Sequence, residues 1–170
     1  MFRLIIGASG SGKSEYAEQQ VISSPCQGKR IYIATMQPWD EECERRIEKH
    51  QRARAGRGFR TIERHQNLAG LDLPEGSNVL LECLSNLVAN EIYAPDGGGK
   101  EAVLEGIWHL FSQCKDLTIV TNEVFSGGSN YEGDTLFYLK ELAEINRILA
   151  KKADQVVEVI CSCPNVLKGK

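Results

Sequence analysis

An eight-residue glycine-rich segment near the start of the chain constrains the fold more than any other feature. It matches the pattern G-x-x-x-x-G-K-[ST] at every fixed position and reads Gly7-Ala8-Ser9-Gly10-Ser11-Gly12-Lys13-Ser14. An apolar run over residues 2–6 predicts a strand before it, and residues 13–22 predict a helix after it. Glycines in this context let backbone N–H groups converge on a phosphate, and the start of a helix adds its positive dipole end.

This segment predicts a site for a nucleoside triphosphate over Gly7–Ser14, without naming the reaction. Lys13 is expected to reach the β- and γ-phosphates, and the Ser14 hydroxyl is expected to ligate Mg²⁺. The alternative is a Gly/Ser turn that binds nothing, which the strand before the segment and the helix after it disfavour.

Short apolar runs alternate with helical patterns along the whole chain. Strands are predicted at 2–6, 30–34, 59–63, 78–81, 117–121 and 155–160, and helices at 13–22, 40–52, 83–93, 100–114 and 134–152, the last with Asp134 as its N-cap. Such alternation predicts an α/β fold, a mostly parallel sheet with helices on both faces. The length of 170 residues fits one nucleotide-binding domain over residues 1–170.

Composition and charge exclude several classes of protein. No apolar run approaches the roughly 20 residues that cross a bilayer, and the start lacks a signal-peptide core, so we expect no membrane span and a cytoplasmic protein. The six cysteines show no disulfide-scaffold spacing, which favours free thiols over a metal at Cys161 and Cys163. A net charge of −3 argues against a nucleic-acid partner, although residues 1–64 carry 12 Lys and Arg against 8 Asp and Glu.

Two carboxylates follow predicted strands and are candidates to hold the metal. Glu82 ends the strand predicted at 78–81, and Glu123 follows the strand predicted at 117–121. Because the carboxyl ends of parallel strands line the ligand crevice, Glu82 is the favoured metal residue, and Glu123 is left open between a site residue and a surface carboxylate.

A cationic segment over residues 45–64 contains the candidate nucleophile His50. Its charge is compatible with a solvated helix face, a nucleic-acid patch or a clamp for a phosphorylated ligand, and Phe59 alone could stack on a base. In a helix, Cys43, Ile47 and His50 share the face that has apolar members. Neighbouring guanidinium groups favour neutral, nucleophilic imidazole. A packing or surface role is the alternative for His50, and it is the interpretation given to the other two histidines.

The chain resembles the bifunctional adenosylcobinamide kinase / adenosylcobinamide-phosphate guanylyltransferase family of cobalamin biosynthesis. The resemblance covers nearly the whole chain, in order and approximate spacing. Its motifs are Gly7–Ser14 with Glu15-Tyr16-Ala17-Glu18, Tyr32-Ile33-Ala34-Thr35, Arg46-Ile47-Glu48-Lys49-His50-Gln51-Arg52, Phe59-Arg60-Thr61-Ile62-Glu63, Leu80-Leu81-Glu82-Cys83-Leu84, Val120-Thr121-Asn122-Glu123-Val124 and Ile145-Asn146 through Ala153-Asp154.

The resemblance implies two reactions at one nucleotide site. ATP or GTP phosphorylates adenosylcobinamide, and His50 then carries GMP from GTP to adenosylcobinamide phosphate, giving adenosylcobinamide-GDP. It also implies a recombinase-like P-loop fold, a homotrimer, and Glu63 and Glu82 at the guanosine or the metal. With Ser14 and Lys13 of the phosphate loop, this gives Lys13 and His50 as catalytic residues and Ser14 and Glu82 as the metal residues. The further nucleotide-binding residues that it implies are Ala34, Thr35, Gln51, Arg52, Ala53, Arg54, Glu63 and Glu82.

Two other functions are compatible with the same residues. One is a P-loop kinase for another small alcohol or nucleotide, without a covalent intermediate. The other is a nucleotide-sensing binding module that uses the phosphate loop as a switch. Labelling of His50 by GTP distinguishes the bifunctional enzyme from both.

Overall fold

Alternating strands and helices make up the chain, with bounds close to those that the sequence predicts. The computed structural model describes residues 1–38, 41–127 and 130–169, with the backbone alone at residues 46, 49, 50, 53 and 54. In chain order the elements are β1 Phe2–Gly7, α1 Lys13–Ser23, β2 Arg30–Ala34, α2 Glu41–Arg54, β3 Phe59–Glu63, a 3₁₀ turn Leu68–Gly70, β4 Asn78–Glu82, α3 Leu84–Tyr93, α4 Gly99–Gln113, β5 Asp116–Asn122, α5 Gly133–Lys152, β6 Gln155–Ile160 and β7 Cys163–Lys168.

The strands form one sheet in the order β3-β2-β4-β5-β1-β6-β7. All neighbours are parallel except β6 and β7, which are antiparallel. The central strands are apolar runs because helices cover both of their faces; all five residues of β4 are buried. The prediction of a mostly parallel α/β sheet is confirmed.

Side chains that alternate along the strands pack into two apolar clusters, one on each face of the sheet. Ile5, Tyr32 and Leu80 pack with Ala17 and Val21 of α1. Their sequence neighbours on the same strands pack instead with α3, α4 and α5, in the larger cluster. Because α1 lies against the sheet in this way, its first turn is placed at the carboxyl ends of β1, β5 and β4.

Strand β7 has no counterpart among the predicted elements. It follows a two-residue reversal in which Cys161 and Ser162 have φ angles of 49° and 63°. Two consecutive left-handed residues suit a tight hairpin, but glycine or asparagine usually signals them. Pro164 also argues against a strand, and β7 accommodates it because all six of its residues are exposed at the sheet edge.

The predicted N-cap of the long helix is wrong. Helix α5 begins at Gly133 after Glu132 as N-cap, and Asp134 lies in its first turn. A carboxylate in the first turn still interacts favourably with the helix dipole, which accounts for the signal read at Asp134. No helix in the described ranges has the length and apolar character needed to cross a bilayer.

Candidate active site

The predicted phosphate loop curls between the end of β1 and the start of α1. The Ser11 amide donates to the Ala8 carbonyl at 3.1 Å, and Gly10 and Gly12 have φ angles of 73° and 88°. A Cβ atom at Gly12 would lie 2.5 Å from Ser162 Oγ, so glycine is required there by both conformation and space. The loop thus has the curled backbone expected of a phosphate cradle.

The turn between β6 and β7 packs directly on this loop. The Ser162 amide donates to the Ser11 carbonyl at 2.8 Å, and the Ser162 side chain lies against Gly12. A segment near the C-terminus therefore buttresses the loop. No sequence pattern predicts this contact, because none predicts the hairpin that makes it.

Lys13, the predicted catalytic lysine, opens α1 and is 8% exposed. Its ammonium donates to the Ala8 carbonyl at 3.1 Å, back across the loop. The cationic group therefore lies among the backbone groups that would surround a phosphate, where low exposure strengthens its attraction for an anion.

Ser14 and Glu82, the two residues predicted at the metal, are in contact. Ser14 Oγ donates to Glu82 Oε1, and the Tyr32 hydroxyl donates to Glu82 Oε2 at 2.8 Å. Glu82 is buried at the end of β4, and β5 lies between β4 and β1. The contact forms because the first turn of α1 reaches over the intervening strand.

Hydrogen bonds join the strand ends next to Glu82. Thr35 Oγ1 donates to the Cys83 carbonyl and accepts from the Cys83 amide, both at 2.8 Å. Asn122 Nδ2 donates to Ser85 Oγ at 2.6 Å and to Cys83 Sγ at 3.4 Å. Burial raises the pKa of the Cys83 thiol above its ordinary value, so it stays protonated at neutral pH. These bonds hold the ends of β2, β4 and β5 in fixed relation.

A cavity of about 280 Å³ opens beside Glu82, and we call it the first cavity. One wall is a face of α2 that includes Ile47 and Gln51, and the opposite wall is formed by the ends of β2, β3 and β4. The remaining lining residues are Tyr32, Ala34, Met36, Pro38, Glu44, Glu48, Glu63, His65, Glu82, Cys83 and Asn86. Gln51 Nε2 lies 3.5 Å from Glu63 Oε1, as donor and acceptor across the cavity.

Four of the eight nucleotide-binding residues predicted beyond the phosphate loop line this cavity. Ala34, Gln51, Glu63 and Glu82 line it. Thr35 is fully buried, with its hydroxyl on Cys83, so the structure places it behind the cavity wall. Their predicted nucleotide contacts stay predictions.

The remaining predicted residues on α2 are described only in part. Arg52 Nη2 pairs with Glu48 Oε2 at 2.9 Å, and both side chains are largely exposed to solvent. The side chains of His50, Ala53 and Arg54 lie outside the described residues, and their predicted roles stay predictions.

Glu123 and the cysteines outside the cavity show no metal-site arrangement. Glu123 Oε1 accepts from the Phe125 amide at 2.9 Å and so serves the turn after β5. All six cysteines are free thiols, with Cys161 and Cys163 exposed. Within the described ranges, no group of three His, Cys, Asp or Glu side chains is arranged to hold a metal.

Several lining residues were not singled out from sequence. Tyr32 reads as an ordinary strand aromatic, and no sequence signal marks its hydrogen bond to Glu82. His65, interpreted as structural or surface, lines the first cavity with its Nδ1 3.3 Å from the Thr35 carbonyl oxygen. The sequence does contain a signal for His65. Residues two apart in an extended segment face the same side, and His65 lies two residues after the candidate Glu63.

Comparison with solved structures concerns the fold. The chain superposes on the flagellar accessory protein FlaH from Methanocaldococcus jannaschii with a TM-score of 0.56 at 12% identity, covering 99% of this chain and 78% of that one. A protein from Pyrococcus horikoshii gives a TM-score of 0.54 at 9% identity, covering 99% and 86%. Both likenesses agree with an α/β P-loop fold.

Sequence comparison identifies the family. The chain is 32% identical to the bifunctional adenosylcobalamin biosynthesis protein CobU of Escherichia coli, covering 94% of this chain and 96% of that protein. It is 31% identical to the protein CobP of Pseudomonas aeruginosa, named in the same way, covering 98% and 97%. The family model described as cobinamide kinase / cobinamide phosphate guanyltransferase matches residues 3–167. The chain therefore belongs to this family of bifunctional kinase and nucleotidyltransferase enzymes.

Proposed function

We propose that the chain phosphorylates adenosylcobinamide with ATP or GTP and then transfers GMP from GTP to adenosylcobinamide phosphate through a guanylyl–His50 intermediate. Family membership supports the two activities. The observation that carries the site assignment is that one cavity is bounded both by α2, which contains His50, and by Glu82, which Ser14 contacts. We also propose that residues 1–170 act as one domain, since one sheet includes every strand of the described chain.

Phosphoryl transfer requires a held triphosphate and an acceptor hydroxyl in line with it. The hydroxyl oxygen of adenosylcobinamide attacks the γ-phosphorus, and the bond to the β–γ bridging oxygen breaks. The nucleoside diphosphate leaves, and the hydroxyl proton passes to solvent. The loop amides and the Lys13 ammonium stabilise the phosphate charge during this step, because they are already placed and need no reorganisation.

Guanylyl transfer proceeds in two displacements at the α-phosphorus of GTP. A ring nitrogen of neutral His50 forms a bond to that phosphorus, the bond to the α–β bridging oxygen breaks, and pyrophosphate leaves while the ring loses a proton. A phosphate oxygen of adenosylcobinamide phosphate then attacks the same phosphorus, the P–N bond breaks, and the imidazole regains a proton. The product is adenosylcobinamide-GDP.

Helix geometry supports His50 for this role. Its backbone lies in α2, three residues after Ile47 and one before Gln51, both of which line the first cavity. Residues three apart on a helix are neighbours on its surface. The first cavity, with its apolar wall and the polar groups of Gln51, Glu63 and Glu82, has the mixed lining that suits a nucleoside.

The oxygens of Ser14 and Glu82 fit a magnesium ion. Mg²⁺ is a hard cation that takes one or two protein oxygens and completes its shell with water and substrate phosphates. A hydroxyl and a carboxylate in contact beside the loop match that donor set. When bound, Mg²⁺ neutralises charge on the phosphates; Ser14 and Glu82 would hold it, while Tyr32 keeps the carboxylate oriented.

Mass spectrometry of the intact protein tests the covalent step. We expect one added GMP after incubation with GTP and Mg²⁺ in the absence of any corrinoid. His50→Ala should show no adduct, whereas the matched control His109→Ala, which changes a histidine packed near Leu71, should acquire the adduct at the parental rate. An adduct that forms equally fast in His50→Ala would remove His50 from the mechanism.

A further inference from the structure

We propose that a second cavity, separated from the first by one layer of backbone and side chains, is the binding site of the corrinoid acceptor in both reactions. The inference rests on the proposed function. This second cavity has a volume of about 450 Å³ and lies between the segments after β2 and β3 and the C-terminal half of α3. Its lining includes Gln37, Gln66, Ala89, Asn90, Tyr93 and Asp96.

The two cavities share a wall. At three places, residues that are next to each other on the chain or one helical turn apart line different cavities. They are Met36 and Gln37, His65 and Gln66, and Asn86 and Asn90. Successive side chains of an extended segment face opposite sides, so 36–37 and 65–66 each contribute one residue to each cavity. A ligand in the second cavity is therefore adjacent to a nucleotide in the first.

The shared wall is held by a buried side chain. Asn90 Nδ2 donates to the Thr35 carbonyl and to the His65 carbonyl, each at 2.9 Å. Thr35 is in turn bonded to Cys83, next to Glu82. Buried, paired polar groups of this kind order the backbone around them. The second cavity is thus in fixed relation to Glu82 and the phosphate loop.

The lining of the second cavity suits a large neutral or cationic ligand that carries carboxamides. Its polar groups include the side-chain amides of Gln37, Gln66 and Asn90 and the carboxylate of Asp96, and Tyr93, 52% exposed, presents an aromatic surface at its edge. Among the described residues, no lysine, arginine or histidine lines it. A triphosphate would find no cation there, so the nucleotide belongs to the phosphate loop and the first cavity.

Cobinamide has complementary chemistry. It offers a conjugated macrocycle that can lie on an aromatic side chain, primary carboxamides that exchange hydrogen bonds with glutamine and asparagine, and one arm that ends in the reacting hydroxyl or phosphate. The cavity is smaller than the whole corrinoid, so one edge of the macrocycle enters it and the reacting arm extends across the wall toward Glu82.

The row of α3 side chains gives this arrangement a direction. Asn86, Asn90 and Tyr93 follow one another along one side of the helix, from the first cavity to the outer edge of the second. Gln66 Nε2 donates to Asp96 Oδ1 at 2.9 Å across the rim. The rim contact joins the segment after β3 to the turn before α4, which would lie over the bound acceptor.

Two variants test whether the second cavity binds the corrinoid acceptor or the nucleotide. Ala89→Trp fills the cavity, and Tyr93→Ala removes its aromatic edge. We expect Ala89→Trp to raise the KM for adenosylcobinamide at least about tenfold and Tyr93→Ala to raise it several-fold, while the rate of GMP attachment from GTP without corrinoid stays within about twofold of parental. Leu167→Ala, an exposed apolar change on β7, is the control and should alter neither quantity.

Each outcome decides between the inference and the function on which it rests. If the KM for the acceptor is unchanged in both variants and GMP attachment is intact, the corrinoid site in the second cavity is refuted and the proposed function stands. If GMP attachment is lost while the KM for the acceptor is unchanged, the cavity binds the nucleotide and the corrinoid site is again refuted. If the parent enzyme modifies no cobinamide, the corrinoid site and the proposed function are both refuted. If Ala89→Trp does not fold, as judged by circular dichroism, Tyr93→Ala decides alone.

Discussion

At the scale of single residues, the Glu82 carboxylate is oriented by two hydroxyl groups. Ser14 and Tyr32 each donate to one of its oxygens, from α1 and β2 respectively. A carboxylate held at both oxygens has little rotational freedom, so the oxygen that a metal would meet is determined before a ligand arrives. Tyr32, 2% exposed, is thus a positioning residue in the proposed site.

Tyr32→Phe is expected to weaken the use of Mg²⁺ while leaving the fold intact. Loss of one hydrogen bond to a charged group costs about 1.5–3 kcal/mol, which corresponds to roughly a tenfold or larger rise in the Mg²⁺ concentration for half-maximal activity. Magnesium titrations of both half-reactions measure this. Tyr131→Phe, at an exposed tyrosine, is the matched control. Equal magnesium dependence in the two variants would contradict a positioning role for Tyr32.

At the scale of secondary-structure elements, the β6–β7 hairpin is the part of the fold that sequence reasoning did not predict. Its turn contains Cys161 and Ser162 at positive φ, and Ser162 packs on the phosphate loop. Non-glycine residues occupy this conformation at a cost of about 1–2 kcal/mol each. The turn of the hairpin is therefore strained, and the same turn makes the contact that supports the phosphate loop.

Glycine substitutions at two cysteines in this hairpin are expected to have opposite effects on stability. Cys161→Gly relieves a left-handed residue and should raise the free energy of unfolding by about 0.5 kcal/mol, after the entropy that glycine adds to the unfolded chain. Cys163→Gly, two residues later in β7, relieves no backbone strain and should lower the free energy of unfolding by about 0.5–1 kcal/mol. Denaturant unfolding of the two variants compares them; a shift of the same sign in both would refute the strain argument.

At the scale of the whole molecule, the phosphate loop connects the first strand of the sheet with the last hairpin. The phosphate loop follows the first strand, and the hairpin that supports it forms one edge of the sheet. The Ser162 amide donates a hydrogen bond to the Ser11 carbonyl. A ligand that binds only the folded state stabilises the entire domain by mass action. Occupation of the loop is therefore expected to be visible in global unfolding.

GTP with Mg²⁺ is expected to raise the melting temperature of the parent protein and not that of Lys13→Ala. At about 100 times Kd the added stability is about 2.7 kcal/mol, a shift of several degrees for a domain of this size. Lys13→Ala removes the cation that lies in the loop, so the shift should vanish together with both half-reactions. Lys115→Ala, whose ammonium donates to the Pro25 carbonyl, is the control. A full shift in Lys13→Ala would show that the loop is not the triphosphate site.

The features that depend on local order along the chain are predictable from its residues. Residues 7–14, the alternation of apolar runs with helical patterns, and the position of Glu82 at a strand end are readable because strand and helix periodicity and the phosphate-loop spacing are properties of contiguous chain. The predicted strand bounds at 30–34, 59–63 and 155–160 agree with the structure to the residue.

Contacts between residues far apart in the chain depend instead on how the elements pack. Strand order places β5 between β1 and β4, yet α1 brings Ser14 to Glu82 across it, and no local pattern encodes that reach. The hydrogen bond of Tyr32, the cavity position of His65, the docking of Ser162 and the wall between the two cavities arise in the same way. They depend on packing between segments far apart in the chain, which is settled only when the whole sheet forms.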